Sequence, residues 1–248
     1  MLSKNQRKFV RSLSLKKNRQ AERLFTAEGA KTVMELLRAY RPRALFYAAS
    51  YAGPRPEGVS VEVTDDELQS LSALECAHDV LAVFEMPDVP AVPSMDPDRL
   101  CIALDGLQDA GNLGTIIRLA DWFGIERIVC SNATVDVYNP KVVQAAMGAM
   151  ARVRVSYTDL PEWLASLPDS CPVYVTDLKG GDIYETELLN RGVLVFGNEG
   201  KGVSDEVKRL ATSRLLLPSY PAGRTTSESL NVAVAAAVVC AEFRRRAR

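Results

Sequence analysis

A chain of 248 residues, 47% hydrophobic and 25% charged with a formal net charge of −1, has the composition of an ordinary globular protein. It has room for one large domain or two modest ones. No apolar run reaches the roughly 20 residues needed to span a bilayer, and the basic start from Met1 to Lys8 has no apolar segment behind it, against a secretory signal. The five cysteines are odd in number and widely spaced and His78 is the single histidine. A disulfide framework, a metal site and histidine-based catalysis are therefore unsupported, and a reducing cytoplasm is expected.

Taken in chain order, the first elements read as mixed α/β. Asn5 to Lys17 is a basic helix with Phe9, Val10 and Leu13 on one side. Leu24 to Ala27 is a short strand, Lys31 to Tyr40 a helix, and Ala44 to Ala48 and Val59 to Val63 are strands. Asp65 or Asp66 caps a helix running through Leu71, and Val80 to Phe84 closes the set. Residues 1–43 carry 12 Lys and Arg against three Glu, a net +9, whereas residues 44–100 carry a net −9. A one-signed basic block attracts a polyanion such as a phosphate backbone; a solvated helical face accounts for the charge as well.

Four prolines between Met86 and Pro97 give a stiff, extended segment, because proline fixes φ and donates no backbone N–H. We divide the chain there into a domain over 1–86, a linker over 87–98 and a domain over 99–248. The second domain alternates regularly. Strands Leu100 to Leu104, Ile128 to Cys130, Val153 to Val155, Val173 to Thr176, Val193 to Phe196 and Leu215 to Leu217 are interleaved with helices at Leu113 to Phe123, Pro140 to Met147 and Ser229 to Arg245. Strands apolar throughout and separated by helices imply a parallel sheet covered on both faces.

Three junctions carry chemistry-bearing residues. Asp105 to Gly114 leaves a strand and enters a helix; its Asn112 is placed to cap and Arg118 follows on the first full turn, and helix N-termini offer N–H groups to anions. Phe196-Gly197-Asn198-Glu199-Gly200-Lys201-Gly202 packs three glycines into six residues, a backbone crowded by something that approaches closely. Leu217-Pro218 leads through a polar loop to Ser229-Leu230-Asn231 and an alanine-rich helix able to pack closely on another backbone. Ligands of α/β proteins bind at the carboxyl ends of strands, so one composite site is expected. Gly-x-Gly-x-x-Gly and Gly-Lys-Ser/Thr signatures are absent.

In this order the three segments resemble the motifs of the SpoU (TrmH-like) family of SPOUT RNA 2′-O-ribose methyltransferases: Asn112, Gly114, Ile116 and Arg118 in the first, Phe196 to Gly202 in the second, Ser229 to Val234 in the third. Tyr138 to Val143 and Met147 to Ala149 are also similar to the family, and the resemblance covers residues 99–245. Phe25 to Gly29 resembles a phrase of a small α/β RNA-binding domain related to large-subunit ribosomal proteins. At residues 77–79 the family's Pro-Gln-Gly is replaced by Ala-His-Asp, and the loop from Ser219 to Ser227, with Tyr220 and Arg224, is longer than usual.

The resemblance implies a deep trefoil knot in the C-terminal domain, a homodimer, and S-adenosylmethionine as methyl donor, with ribosomal RNA as substrate. Transfer RNA, or RNA binding without catalysis on the same scaffold, are the alternatives. It implies Arg118, Asn112, Glu199, Ser229 and Asn231 as catalytic residues. Cofactor binding falls to Phe196, Gly197, Asn198, Gly200, Gly202, Leu217, Pro218, Ser229, Leu230 and Asn231. No metal is implied.

Overall fold

The computed structural model describes residues 2–88, 96, 98–221, 225 and 227–247. Most of the proline-rich linker and Arg224 lie outside the described residues. The chain divides into two compact units, one formed by Met1–Asp88 with Asp136–Arg152, the other by Val89–Val135 with Val153–Arg248.

The first unit contains α1 (Lys4–Ser12), α2 (Lys16–Glu22), β1 (Leu24–Glu28), α3 (Ala30–Leu36), β2 (Pro42–Tyr47), β3 (Ser60–Glu62), α4 (Asp65–Leu71) and β4 (Val80–Glu85). Its sheet has the order β1-β4-β2-β3, antiparallel except for the β2–β3 edge. The basic helix expected over 5–17 is two helices. The turn between them is held by Arg19, whose guanidinium donates to the carbonyls of Leu13 and Ser14 at 2.9 and 2.7 Å, groups that a helix end leaves without partners. At α4 the cap is Thr64, in a reciprocal capping box with Glu67, and not Asp65 or Asp66; the latter fill the first turn, where acidic side chains complement the helix dipole. The segment from Asp136 to Arg152, containing a helix at Pro140–Ala146, belongs to this unit by contact. Tyr138 stacks obliquely on Phe25, with ring centroids 4.8 Å apart.

The second unit is a six-stranded parallel sheet. In chain order it runs β5 (Leu100–Asp105), α5 (Ala110–Trp122), β6 (Arg127–Ser131), then, after the helix at Pro140–Ala146, which is α6, β7 (Arg154–Thr158), α7 (Leu160–Ala165), β8 (Val173–Asp182), β9 (Gly192–Gly197), α8 (Asp205–Arg209), β10 (Ser213–Leu216) and α9 (Val232–Arg246). The sheet order is β10-β8-β9-β5-β6-β7. The central strands are buried on both faces, as the apolar runs require. Cys101, Ala103, Val193 and Val195 share a core with Leu160, Leu164 and Val207 of α7 and α8. Their alternate neighbours Ile102, Leu104, Leu194 and Phe196 are equally buried, and α5 and α9 pack on one another and on β6 and β9. The short helices α7 and α8 escape the periodicity reading because five or six residues hold too few repeats to register.

From β5 the chain steps outward to β6 and β7, returns to β8 beyond the other side, and inserts β9 between β8 and β5. This reversal sets the carboxyl ends of β5 and β9 side by side, with Leu104 opposite Phe196 and Asp105 opposite Gly197. Such a switch point is where an open parallel sheet leaves a crevice for ligands.

Candidate active site

The three motif segments meet at that crevice through a chain of amides ending on one carboxylate. Asn231 Nδ2 donates to Asn112 Oδ1 at 3.0 Å, and Asn112 Nδ2 donates to Glu199 Oε1 at 3.1 Å. The same oxygen accepts the Asp109 backbone N–H at 3.1 Å, and Oε2 accepts that of Gln108 at 3.4 Å. Burial pushes the Glu199 carboxyl up, but its own backbone N–H, the Asn112 amide and the N–H groups of Asp109 and Gln108 outweigh it. Its pKa lies below the ordinary 4.5. Glu199 is thus an anion held by neutral donors, ill-suited to take up a proton at neutral pH.

At the crevice the cap of α5 differs from expectation. Asp109, and not Asn112, caps α5 by accepting the Asn112 N–H at 2.7 Å. The final helix begins at Val232 with Asn231 as its cap, accepting from the N–H groups of Ala233 and Val234; Ser229 and Leu230 lie before it, exposed. Arg118 consequently sits in the third turn of α5, not the first. Ahead of and within the first turn of α5, Glu199 and the Asp109 side chain take up the N–H groups of Gln108, Asp109 and Asn112. Asp109 was detectable in the sequence as a capping residue ahead of a helical run; the anchoring role of the Gln108 and Asp109 backbones was not, because it depends on a residue 90 positions away.

The turn after β9 is closed on itself. Asn198 and Gly202 exchange backbone hydrogen bonds at 3.0 and 2.9 Å, and the Asn198 side chain accepts from Gly200 and Lys201 N–H while donating to the Gly106 carbonyl at 2.8 Å. Two of its three glycines are thereby explained. A Cβ on Gly197 would lie 2.2 Å from the Gly202 carbonyl carbon, and Gly202 has φ of +69°. At Gly200 a Cβ would meet only Asn198 Oδ1 among the described residues, at an ordinary 3.7 Å, so none of them demands glycine there. Asp105 Oδ2 fastens the end of the turn by accepting the Ser204 N–H at 2.8 Å.

Of the remaining motif residues, Phe196 is buried, Leu217 half-buried and Pro218 exposed just beyond β10. Arg118 is exposed, and neither it nor Ser229 makes a hydrogen bond or ion pair with any described residue. The structure therefore joins Asn112, Glu199 and Asn231 into one bonded framework, and the Asn198 side chain closes the neighbouring turn on itself and on Gly106. Arg118 and Ser229 stand free, with their polar groups available to a ligand. Among the described residues no cluster of His, Cys, Asp or Glu could hold a metal ion.

Comparison with known proteins agrees with this arrangement. Residues 99–241 match the SpoU rRNA Methylase family, and residues 4–82 match the MRM3-like substrate binding domain. The chain is 30% identical to the 23S rRNA (guanosine(2553)-2′-O)-methyltransferase RlmP of Bacillus subtilis over 98% of its own length and 97% of the relative's. Among solved structures, a TrmH-family chain from Porphyromonas gingivalis superposes with a TM-score of 0.88 at 40% identity, covering 99% of both chains. An AdoMet-bound rRNA methyltransferase from Sinorhizobium meliloti superposes with a TM-score of 0.84 at 26% identity, covering 99% of this chain and 96% of that one.

Proposed function

The chain belongs to the SpoU rRNA methylase family, and from that premise we propose how its site works. It is an S-adenosylmethionine-dependent RNA 2′-O-ribose methyltransferase, and ribosomal RNA is its substrate. The observation that carries the mechanism is the contrast between a satisfied amide–carboxylate framework and an exposed arginine, Arg118, with no partner among the described residues. Residues 99–248 form the methyltransferase domain and residues 1–86 the RNA substrate-binding domain; the two family matches and the basic charge of residues 1–43 support that division.

The crevice fits the methyl donor. Gly200 leaves its backbone open to close approach, and Leu230, 54% exposed, offers apolar surface next to the Asn231 amide. Main-chain groups around Gly197, Leu217 and Leu230, with Phe196, Asn198, Gly202, Pro218 and Ser229, would hold it. The donor supplies an electrophilic methyl group on a sulfonium. In the reaction the ribose 2′-oxygen bonds to the methyl carbon, the sulfur–carbon bond breaks to leave a neutral thioether, and the hydroxyl proton departs.

A ribose hydroxyl is a weak nucleophile at neutral pH. A guanidinium, with a pKa above about 12, is a poor base. Arg118 instead binds the adjacent phosphate and stabilises the developing alkoxide, while phosphate or water takes the proton. Glu199, kept ionised, positions Asn112 and through it Asn231, and Ser229 contributes a free hydroxyl to the ribose pocket.

Three further features belong to the same proposal. The insertion of β9 between β8 and β5, with α9 returning onto α5 and β9, supports a trefoil-knotted C-terminal chain. Trp122, Leu230 and Val234, which are 85%, 54% and 50% exposed, support burial of the α5–α9 side in a homodimer. Five free thiols, four of them buried, support residence in the cytoplasm. No helix among the described residues is long and apolar enough to cross a membrane.

The test is transfer of labelled methyl from S-adenosylmethionine to protein-free ribosomal RNA, with ribose methylation mapped by sequencing and Arg118→Ala as the comparison. Transfer to ribosomal RNA that collapses in the variant is expected. Transfer to tRNA alone would move the substrate, and absence of S-adenosylmethionine binding would reduce the protein to an RNA binder.

A further inference from the structure

The first unit contains a cavity of about 270 Å³ between the end of α1, the end of β1 and the turn after α4. On its polar side lies the Glu28 side chain, on a residue only 7% exposed. Oε2 accepts from Ser72 Oγ at 2.5 Å and Oε1 from the Ala73 N–H at 3.2 Å. No cation among the described residues forms an ion pair with it. A buried carboxylate ordinarily has a charge partner, and a carboxylate offers about four lone-pair sites, of which two are used here. Val10, Leu71 and Leu81 supply apolar walls, and Arg11 stands at the rim, exposed.

We propose that this cavity receives an unstacked guanine of the RNA substrate, with the Glu28 carboxylate accepting from the Watson–Crick edge of the base and Arg11 meeting its backbone. Proteins that read RNA sequence do so on unstacked bases, through that edge. Guanine alone presents two adjacent N–H donors there, which match two free carboxylate lone pairs; adenine, cytosine and uracil each set a ring nitrogen or carbonyl acceptor beside their donor. The volume lies just below the roughly 300 Å³ at which pockets accommodate drug-sized ligands, room for one ring system between apolar faces. The inference rests on the RNA-binding reading of residues 1–86 and adds the base that this unit reads.

The test is fluorescence anisotropy of the full-length protein with labelled oligoadenylate carrying one central guanosine, inosine or adenosine. Inosine lacks only the 2-amino group. Guanosine is expected to bind about tenfold more tightly than either, the effect of losing one hydrogen bond to a charged acceptor. Glu28→Gln should erase that preference while keeping the salt-dependent binding of the plain oligoadenylate. Ala73→Phe, which narrows the mouth but leaves the backbone bond to Glu28, should erase it as well, and a circular dichroism spectrum like wild type's confirms that both variants fold. Equal binding of the three oligonucleotides by wild type, or a preference surviving in both variants, overturns the guanine site. Competition by free guanosine monophosphate at equal or lower concentration than the oligonucleotide overturns the assignment to RNA. Failure of wild type to bind any oligonucleotide strikes instead at the RNA-binding reading.

Discussion

Arg19 and Arg118 are the same side chain put to opposite uses. Arg19 is 1% exposed; its guanidinium donates to Leu13 and Ser14 carbonyls and to the Asp136 carboxylate at 2.5 and 3.2 Å. Each of its three nitrogens is bonded within the protein, which makes it a fastener. Arg118 is exposed on the third turn of α5 with no partner among the described residues, while Asn112, Glu199 and Asn231 of the same motifs are bonded to one another. A guanidinium left unpaired beside a framework otherwise complete is placed for a ligand that arrives later. The satisfaction of hydrogen-bonding capacity, more than the presence of charge, separates the fastening arginine from the one left open to a ligand.

The comparison predicts different failures. Arg19→Met should destabilise folding by about 3–5 kcal/mol, since it strands the Asp136 carboxylate and two carbonyls, measured by urea denaturation; a change below about 1 kcal/mol would erase the distinction. Arg118→Ala should leave stability within about 0.5 kcal/mol yet slow methyl transfer roughly a hundredfold, about 2.7 kcal/mol of transition-state stabilisation. Arg118→Lys should recover part of it, because charge is kept and the planar fork is lost.

Glu199→Gln probes the framework between them and should cost about 2 kcal/mol of stability. Its pH dependence has a definite sign. Because the folded pKa lies below the ordinary 4.5, the wild-type advantage should be complete above that value and vanish as pH falls through the folded value. An advantage that grew on acidification would contradict the hydrogen-bonding scheme. The smallest effect is expected for Asn231→Ala, about 1 kcal/mol from the lost cap of α9, read from thermal unfolding.

Much of this molecule was legible before folding. The apolar runs at Leu100, Val193 and Ile128 announced buried parallel strands because such strands lose their alternation, and the three glycine- or amide-bearing junctions were rightly expected to converge. Helix starts were less legible. Asp109 and Asn112, like Ser229 and Asn231, are all competent caps, and only the final path of the backbone selects among them. The split of the basic helix at Ser12–Lys16 likewise required Arg19 to reach carbonyls that the sequence does not mark.

The sequence by itself determined most of the strand and helix types and the parallel sheet, since these follow from local periodicity and from proline and glycine constraints; that Asp136–Arg152 joins the first unit was not marked in it. Tertiary structure alone decided which glycines are forced and which arginine is spent. It also decided that Glu199 is an anchored anion tying the β9 turn to α5. Those outcomes depend on hydrogen bonds between residues some 90 to 120 positions apart, and no local pattern encodes a partner at that distance.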